Sequence, residues 1–569
     1  MSRFNLLEEN WIRVLEEGEM KEVSLITLFE NAEKYRCLAG EMATQDFAML
    51  RFILAVLHTV FSRVNADGEA YEFLEIDEKF RQKEAVSEDD EEEYNDALME
   101  TWKTLWQRGK FPSVVREYLE AWKEHFYLLD EKYPFYQVTK EEIDSLPRNY
   151  QNLGPILGKQ FNRTISESNN KVALFSPKLE EGKSKMLESE LARWLIMLQG
   201  YFGNFDKVKF CQEYTPSIGW LYELGGIYLR GQNLFETLMM NFKITVEQVG
   251  EEIPRQSPCW ENSGVENIKR AFHGVEDNLA ALYTNWSRAM LVNPELNFFE
   301  DILVEVVKLP KLDYSIMEIE PMTLWEYDMK GDNKYNFVPK CHEPNQALWR
   351  SYGSIAIPDE IIQIGKEPGI ITWLNKIRPY FYSHKLMISA VGIQDDGIDA
   401  SRMMVNEIND DLALHEIVLF EKGVEGWVAR IKGIVDETKE IISTKYRKYL
   451  KDIAELRRKK SYEGGNNKKK IEDKNLTIYL EDNLKQIYFE IDKPFRNWLI
   501  GIEISSKKEE KAKEWKDFLI RFIKEHAFQK IKEADARDIQ GTYIEDGKII
   551  INIFTIYESF CHELKKYEI

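Results

Sequence analysis

From Phe47 onward, Phe47, Leu50, Ile53, Leu54, Leu57 and Phe61 fall at three- and four-residue spacing, the pattern of a helix with an apolar face. Thr44 precedes them as an N-cap, and Asp46 falls in the first turn, where a carboxylate complements the helix dipole. Upstream, FNLLEENWIRVL and VSLITLFENA read as short strands and a helix start capped by Ser24. The acidic run Glu88 to Glu93 lacks calcium-loop spacing and reads as a solvated loop or helix start. Helical stripes follow from about Tyr94 to Gln107, and from about Pro112 to Phe126 on Val115, Tyr118, Leu119 and Trp122. Another runs from about Leu187 to Gln199 and stops at Gly200. GGIYLRGQNLFETLMMNF reads as a strand, a turn at Gly231 and a buried helix. Residues 270–420 alternate strand-like and turn-rich pieces with few long helices, which predicts an irregular α+β region.

Near Lys422 the character changes. Trp427, Ile431, Ile434, Ile441, Ile442, Leu450, Ile453 and Leu456 make one apolar seam, followed by a polar break at 461–470. Further seams carry Leu480, Leu484, Ile487 and Ile491, then Trp515, Phe518, Leu519 and Phe522, then Ile553, Phe554, Tyr557, Phe560 and Leu564. Such segments with polar connections predict an antiparallel four-helix bundle. The expected fold class is therefore α+β: an irregular mixed α/β body over 1–420, then a C-terminal four-helix bundle over 421–569.

Between the helices, Tyr133 to Asn170 breaks the periodicity. An aromatic cluster (Tyr133, Phe135, Tyr136) reads as core-anchored, and then Arg148, Lys159, Phe161, Asn162 and Arg163 arrive among Gly154, Pro155 and Gly158. A loop this long is functional or disordered. Its guanidinium, ammonium and amide groups beside Phe161 suit phosphates and bases; a solvated disordered insertion fits the same composition.

Charge narrows the picture. The net charge of −22 over 569 residues excludes a protein that coats nucleic acid with its whole surface. From Glu421 onward 32 Lys+Arg face 28 Asp+Glu, net +4, which leaves net −26 for the first 420 residues. Contacts to nucleic acid must then be local. One such patch follows the first C-terminal seam: Lys445, Arg447, Lys448, Lys451, Arg457 and Arg458, continuing into Lys459 and Lys460. A solvated helix face is the bland alternative. Another local feature is LQGYFGN, where Gly200, Gly203 and Asn204 precede Lys207 and Lys209; it permits close backbone approach, or simply ends a helix.

The five cysteines (Cys37, Cys211, Cys259, Cys341, Cys561) lie far apart without a CxxC pair, and the eight histidines are scattered. No metal and no cofactor is expected. A lone histidine on an apolar face, such as His58, is commonly a satisfied core residue. The longest apolar run, Phe52 to Phe61, is too short to span a bilayer, and no secretory signal is visible, so a cytoplasmic location without membrane contact is expected.

Several segments, in order, resemble the CasA large subunit of the type I-E CRISPR surveillance complex, Cascade: FNLLEENWIRV, VSLITLFENA, LAGEMATQDFAMLRFILAVLH, YPFYQ, RGQNLFETLMMN, EPMTLWE and EPNQALWR, with the helical tail. The resemblance implies a non-catalytic subunit that recognises the protospacer-adjacent motif in double-stranded target DNA from the minor groove. It implies help in opening the duplex for R-loop formation, and a docking surface for a recruited helicase–nuclease. The implied partners are the other Cascade subunits, crRNA, the target duplex and its displaced non-target strand, with guide pairing reading the sequence. It places a crRNA-end docking loop on Lys159, Phe161, Asn162 and Arg163, and a motif-facing glycine loop on Gly200, Gly203 and Asn204. A minor-groove lysine becomes Lys308 or Lys311, and a strand-separating wedge falls on Gln394, Gly397 and Ile398, beside the unexpected Asp395 and Asp396. Some members carry cysteine-bound zinc; the spacing here does not match.

Two other classes compete with this one. One is a hydrolase using paired carboxylates, or a carboxylate-bridged metal bundle; the metal version needs Glu-x-x-His pairs, which the sequence lacks, and phosphate-loop and nucleophile-elbow patterns are absent as well. A helical scaffold that binds only protein would not need Lys308, Lys311 or the 445–460 cations.

Overall fold

The computed structural model describes residues 4–568 except 73, 147–152, 163–166, 168–177, 205, 212, 247–251, 275–276, 314–318, 330–335, 359–364, 382, 399–401, 460–468 and 545–548; side chains at 252, 458–459, 469–473, 542–544 and 549 also lie outside the description. The chain divides into two compact units. The first comprises Met1–Pro344, Lys366–Tyr382 and Met387–Asp411; the second comprises Asn345–Gly365, Ser383–Leu386 and Leu412–Ile569.

The first unit is built on the helix Ala43–Phe61, whose residues from Thr44 onward are nearly all buried. By length and composition alone it could cross a membrane, but 94 % of that stretch is buried inside the body. Trp11, Phe52, Phe135 and Trp260 pack edge to face at one side of it. At its centre Arg51 makes a bidentate bond to Glu320, 2.8 Å on each arm, and Trp220 Nε1 donates to the same carboxylate. The expected Thr44 cap is not one. The helix begins at Ala43 after Met42, and the first free N–H groups are met from far along the chain: Glu407 accepts from the Ala43 and Thr44 amides and from the Thr44 hydroxyl. Asp46 falls in the first turn as expected. It is half-buried, accepts from the Gly40 amide, and its carboxyl is pushed up to about 7 by desolvation.

Small antiparallel sheets surround this helix. Ile12–Glu16 lies between Glu19–Val23 and Cys37–Leu38. Leu303–Lys308 lies between Gly154–Leu157 and Arg288–Val292. Gly226–Arg230 pairs with Lys385–Asp395, which neighbours Met404–His415. Ser24 caps Leu25–Glu30 as expected. The 133–170 segment is less of a loop than its composition predicts. Phe135 and Tyr136 are core residues, Thr139 and Glu142 form a capping box on Lys140–Asp144, and Gly154–Leu157 is a strand that pairs with Leu303–Lys308.

In the second unit, Trp427–Glu440 continues through a π-helical turn, Ile441–Tyr446, into Arg447–Lys459. Lys469–Ile500, Lys508–Lys532 and Ile553–Leu564 follow. Their seams meet in aromatic contacts, Phe495 on Trp515 at 4.8 Å and Tyr449 on Phe560 at 4.8 Å. Two buried polar atoms are satisfied across helices: Trp515 Nε1 donates to Thr438 Oγ1, and the Tyr449 hydroxyl to the Ala527 carbonyl. A short hairpin, Thr542–Ile544 with Ile549–Ile551, precedes the last helix and was not anticipated.

Candidate nucleic-acid-binding face

The helix Glu188–Gly200 ends where the chain must turn sharply. Gly203 sits at φ +86°, and the amides of Phe202 and Gly203 both donate to the Ile218 carbonyl at 3.0 and 3.2 Å. Gly219, at φ +96°, passes so close that a Cβ there would lie 2.2 Å from the Gly200 carbonyl oxygen. Two backbone segments are thus pressed together with no room for side chains.

Below this turn lies a buried ionic network. Arg288, fully buried, occupies all five guanidinium N–H donors: two on Asp206 at 2.8 and 3.0 Å, and one each on the carbonyls of Gly203, Ser217 and Ser287. Its guanidinium also lies 4.3 Å from the Phe202 ring centroid. Lys308 is the strand neighbour of Arg288 in register. Its ammonium donates to Asn204 Oδ1 at 2.5 Å and stands 3.6 Å from Asp206. Burial lowers its pKa to about 8, Asp206 opposes that shift, and the Arg288 and Lys207 charges add to it. So the glycine turn and Lys308, about a hundred residues apart, do come together. Lys308 is nonetheless tied inside the network and 4 % exposed, not presented to solvent as the resemblance implies.

Lys311 is half-buried and pairs with Glu223 at 2.7 Å. Glu223 belongs to the turn Trp220–Glu223, which also anchors the third element: the Tyr222 hydroxyl donates to the Arg402 carbonyl at 2.6 Å. Arg402 lies in the connection that follows Lys385–Asp395, where Gln394 is half-buried, Gly397 takes φ +67°, and Ile398 is 50 % exposed. Asp395 and Asp396 have a local role: their carboxylates accept the amides of Gly397 and Ile398 and shape the tip. Gly200–Asn204, Lys308–Lys311 and Gln394–Ile398 therefore meet around residues 217–223. Sequence reasoning missed that hub, along with Asp206 and Arg288; an arginine inside the apolar strand RAMLV was the available signal.

The docking-loop residues fare differently. Phe161 is fully buried and Asn162 is buried, so neither side chain is offered to a partner in this conformation. Lys159 is half-buried, 3.8 Å from the buried carboxylate of Glu167, and Arg163 lies outside the described residues. A short helix, Gly158–Phe161, turns the apolar ring inward, because Gly158 packs directly on the Ser184 backbone.

In the helical unit the basic patch is largely neutralised within the chain. Lys445 pairs with Glu440 at 3.4 Å, Lys448 with Glu563 at 2.6 Å and Lys451 with Glu455 at 3.7 Å. Arg457 makes a two-pronged bond to the buried Asp538, which makes it part of the fold. Arg447 is half-buried, and the Arg458 side chain lies outside the description. Among the described residues no group of three or more His, Cys, Asp or Glu could hold a metal ion.

Fold and site together define a mixed α/β body, with a separate helical unit, that gathers a tight glycine turn, a lysine and a hairpin tip in one place. The chain belongs to the family described as CRISPR-associated protein Cse1, which it matches over residues 5–525. A curated relative, the CRISPR-associated protein CasA/Cse1 of Thermus thermophilus, is 24 % identical over 270 residues; the match spans 46 % of this chain and 42 % of the relative. Among solved structures, Thermobifida fusca Cse1 superposes with a TM-score of 0.75 at 21 % identity, covering 100 % of this chain and 98 % of that one. Cse1 from Acidimicrobium ferrooxidans gives 0.70 at 17 % identity over 100 % and 99 % of the two chains. A chain of a CRISPR RNA-guided surveillance complex gives 0.65 at 13 % identity, over 99 % of each. At such identities the superpositions establish a common fold.

Proposed function

We propose that this protein is the non-catalytic large subunit of a type I-E Cascade complex, and that it reads the bases flanking a protospacer from the minor groove of target DNA. The observation that carries this reading is the convergence of Gly200–Asn204, Lys308 and the Gln394–Ile398 tip on residues 217–223. The minor groove offers a degenerate set of acceptors, which backbone amides and one ammonium read coarsely. Lys308 then exchanges Asn204 for a base acceptor on binding, and the exposed Ile398 beside Gln394 is the wedge that unstacks the first pair. The 1–420 body carries recognition and docking to crRNA and the other subunits. The 421–569 segments act as one four-helix bundle near the displaced strand, and the recruited helicase–nuclease docks on the assembled subunit.

The test is target-duplex binding by the reconstituted guide complex, with and without this chain, on targets that differ only in the flanking bases. Flank-dependent affinity conferred by the chain and lost in Lys308→Ala or Gly203→Val supports the reading; indifference to flank and chain refutes it. For the helical unit, the ion-paired state of Lys445, Lys448 and Lys451 favours a second reading, a surface for protein alone. If so, Lys448→Ala with Lys451→Ala leaves the salt dependence of DNA binding unchanged; strand contact would lower the log–log salt slope by about 1 per lysine.

A further inference from the structure

The hairpin that carries Gln394–Ile398 has less sheet beneath it than its length suggests. Gly226–Arg230 pairs with Lys385–Asp395 over Met387–Val391, and beyond Val391 the sheet neighbour is Met404–His415. The outer part is thus a ribbon of two strands, and such a ribbon is marginally stable by itself. Its aim has to come from contacts outside the sheet.

The returning chain supplies them. Arg402 is held at φ +40°, a conformation that a side chain disfavours, and its carbonyl accepts the Tyr222 hydroxyl at 2.6 Å. Further along, Glu407 reaches out of the ribbon. Its Oε1 accepts the Ala43 amide at 3.2 Å, and its Oε2 accepts the Thr44 amide at 2.9 Å and the Thr44 hydroxyl at 3.0 Å. A carboxylate on the first free amides of a helix makes charge-assisted bonds. Both anchors lead back to one element. Glu407 grips the N-terminus of Ala43–Phe61 directly. Tyr222 reaches the same helix through Trp220 of its own turn, whose Nε1 donates to Glu320, the carboxylate that takes both arms of Arg51. That turn follows Gly219, which packs on the Gly200 carbonyl. The glycine turn and the hairpin tip are therefore referenced to one buried helix by separate routes.

We infer that Glu407 is a positioning residue: its clamp on the core helix fixes the hairpin tip, which enters the duplex, relative to the glycine turn, which reads the flank. The inference rests on the duplex-reading proposal and adds to it how reading is coupled to opening. Glu407 acts through the ribbon and needs no contact with DNA. Support of this kind decides whether a working constellation is held to within about half an ångström of its productive geometry. The bland role, a helix cap and nothing more, predicts something different. Met42, at the N-cap, is extended and contributes no side-chain cap, so a serine there can replace the capping bond without tying down the ribbon.

The test uses the reconstituted guide complex with the full chain and target duplexes carrying a fluorescent adenine analogue at the first protospacer pair, whose emission rises when it unstacks. Flank-dependent affinity is measured on the same duplexes. In Glu407→Ala that affinity is expected to stay at the wild-type level while the opened fraction falls roughly tenfold, the loss of one charge-assisted bond. Adding Met42→Ser should restore the melting temperature and leave the opening defect in place. Should Glu407→Ala melt early, the double variant carries the comparison. Unchanged opening in Glu407→Ala, opening restored by Met42→Ser, or affinity and opening lost in parallel overturns the inference and leaves the flank reading standing. A wild-type chain that confers no flank dependence overturns the reading itself, and the inference with it.

Discussion

Asp206→Ala tests the network under the glycine turn most directly. Arg288 is fully buried with every N–H satisfied, two of its five bonds going to Asp206. Removing Asp206 orphans those two donors and leaves Arg288 and Lys308, two cations in strand register, without a counter-charge. Breaking a buried ion pair from one side costs about 3–5 kcal/mol. For a body of roughly 390 residues, unfolding entropy of about 2.1 cal/mol/K per residue turns that into a melting point lower by about 4–6 °C. Calorimetry of the isolated chain reads this out, and Asp206→Leu/Arg288→Met supplies the control. With both charges gone the double variant should lose less than the sum of the two singles, a coupling of a few kcal/mol. Held below its melting point, Asp206→Ala should still lose flank-dependent duplex affinity, because Arg288 no longer fixes the Gly203 carbonyl. A shift under about 1 °C, or strictly additive losses, would mean the pair is not the keystone described, and the positioning argument fails with it.

Two further outcomes follow from the same site. Lys308 titrates at about 8 against an ordinary 10.5, so between those values the unfolded chain keeps a proton the folded chain has released, and stability rises with pH across that window. Relative to Lys308→Met, the melting temperature of the wild type should therefore climb from pH 8 to pH 10; a difference that stays flat contradicts the buried setting of the ammonium. Gly219→Ala places a methyl 2.2 Å from a backbone oxygen at φ +96°, so it should cost more than the 1–2 kcal/mol of the left-handed conformation, about 2 kcal/mol at least, and abolish flank discrimination. Wild-type melting of that variant would show that the two turns are not pressed together.

Much of the scaffold was legible because periodicity reports burial. The core helix, the seams of the helical unit, the strand–turn–helix at 225–242 and the Ser24 cap depend on local spacing and local hydrogen bonds, and they stand where the pattern placed them. Composition misled where polar residues turned inward. Phe161 and Asn162 looked like a solvent-facing loop, yet the close pass of Gly158 over Ser184 draws that segment into the body. Lys448 and Arg457 looked free because their acidic partners Glu563 and Asp538 lie 115 and 81 residues on.

By itself the sequence determined the helices, their apolar faces, the turn chemistry at Gly200–Asn204 and, through ordered segments, the family. Only the tertiary structure decided that Met42 and Glu407 begin the core helix, that Asp206 and Arg288 underlie the glycine turn, and that Lys308 is tied to Asn204. The physical reason is range. Helix period and turn preference are set by neighbours a few residues away, whereas a buried charge is tolerable only beside a partner that the fold, not the local sequence, brings to it.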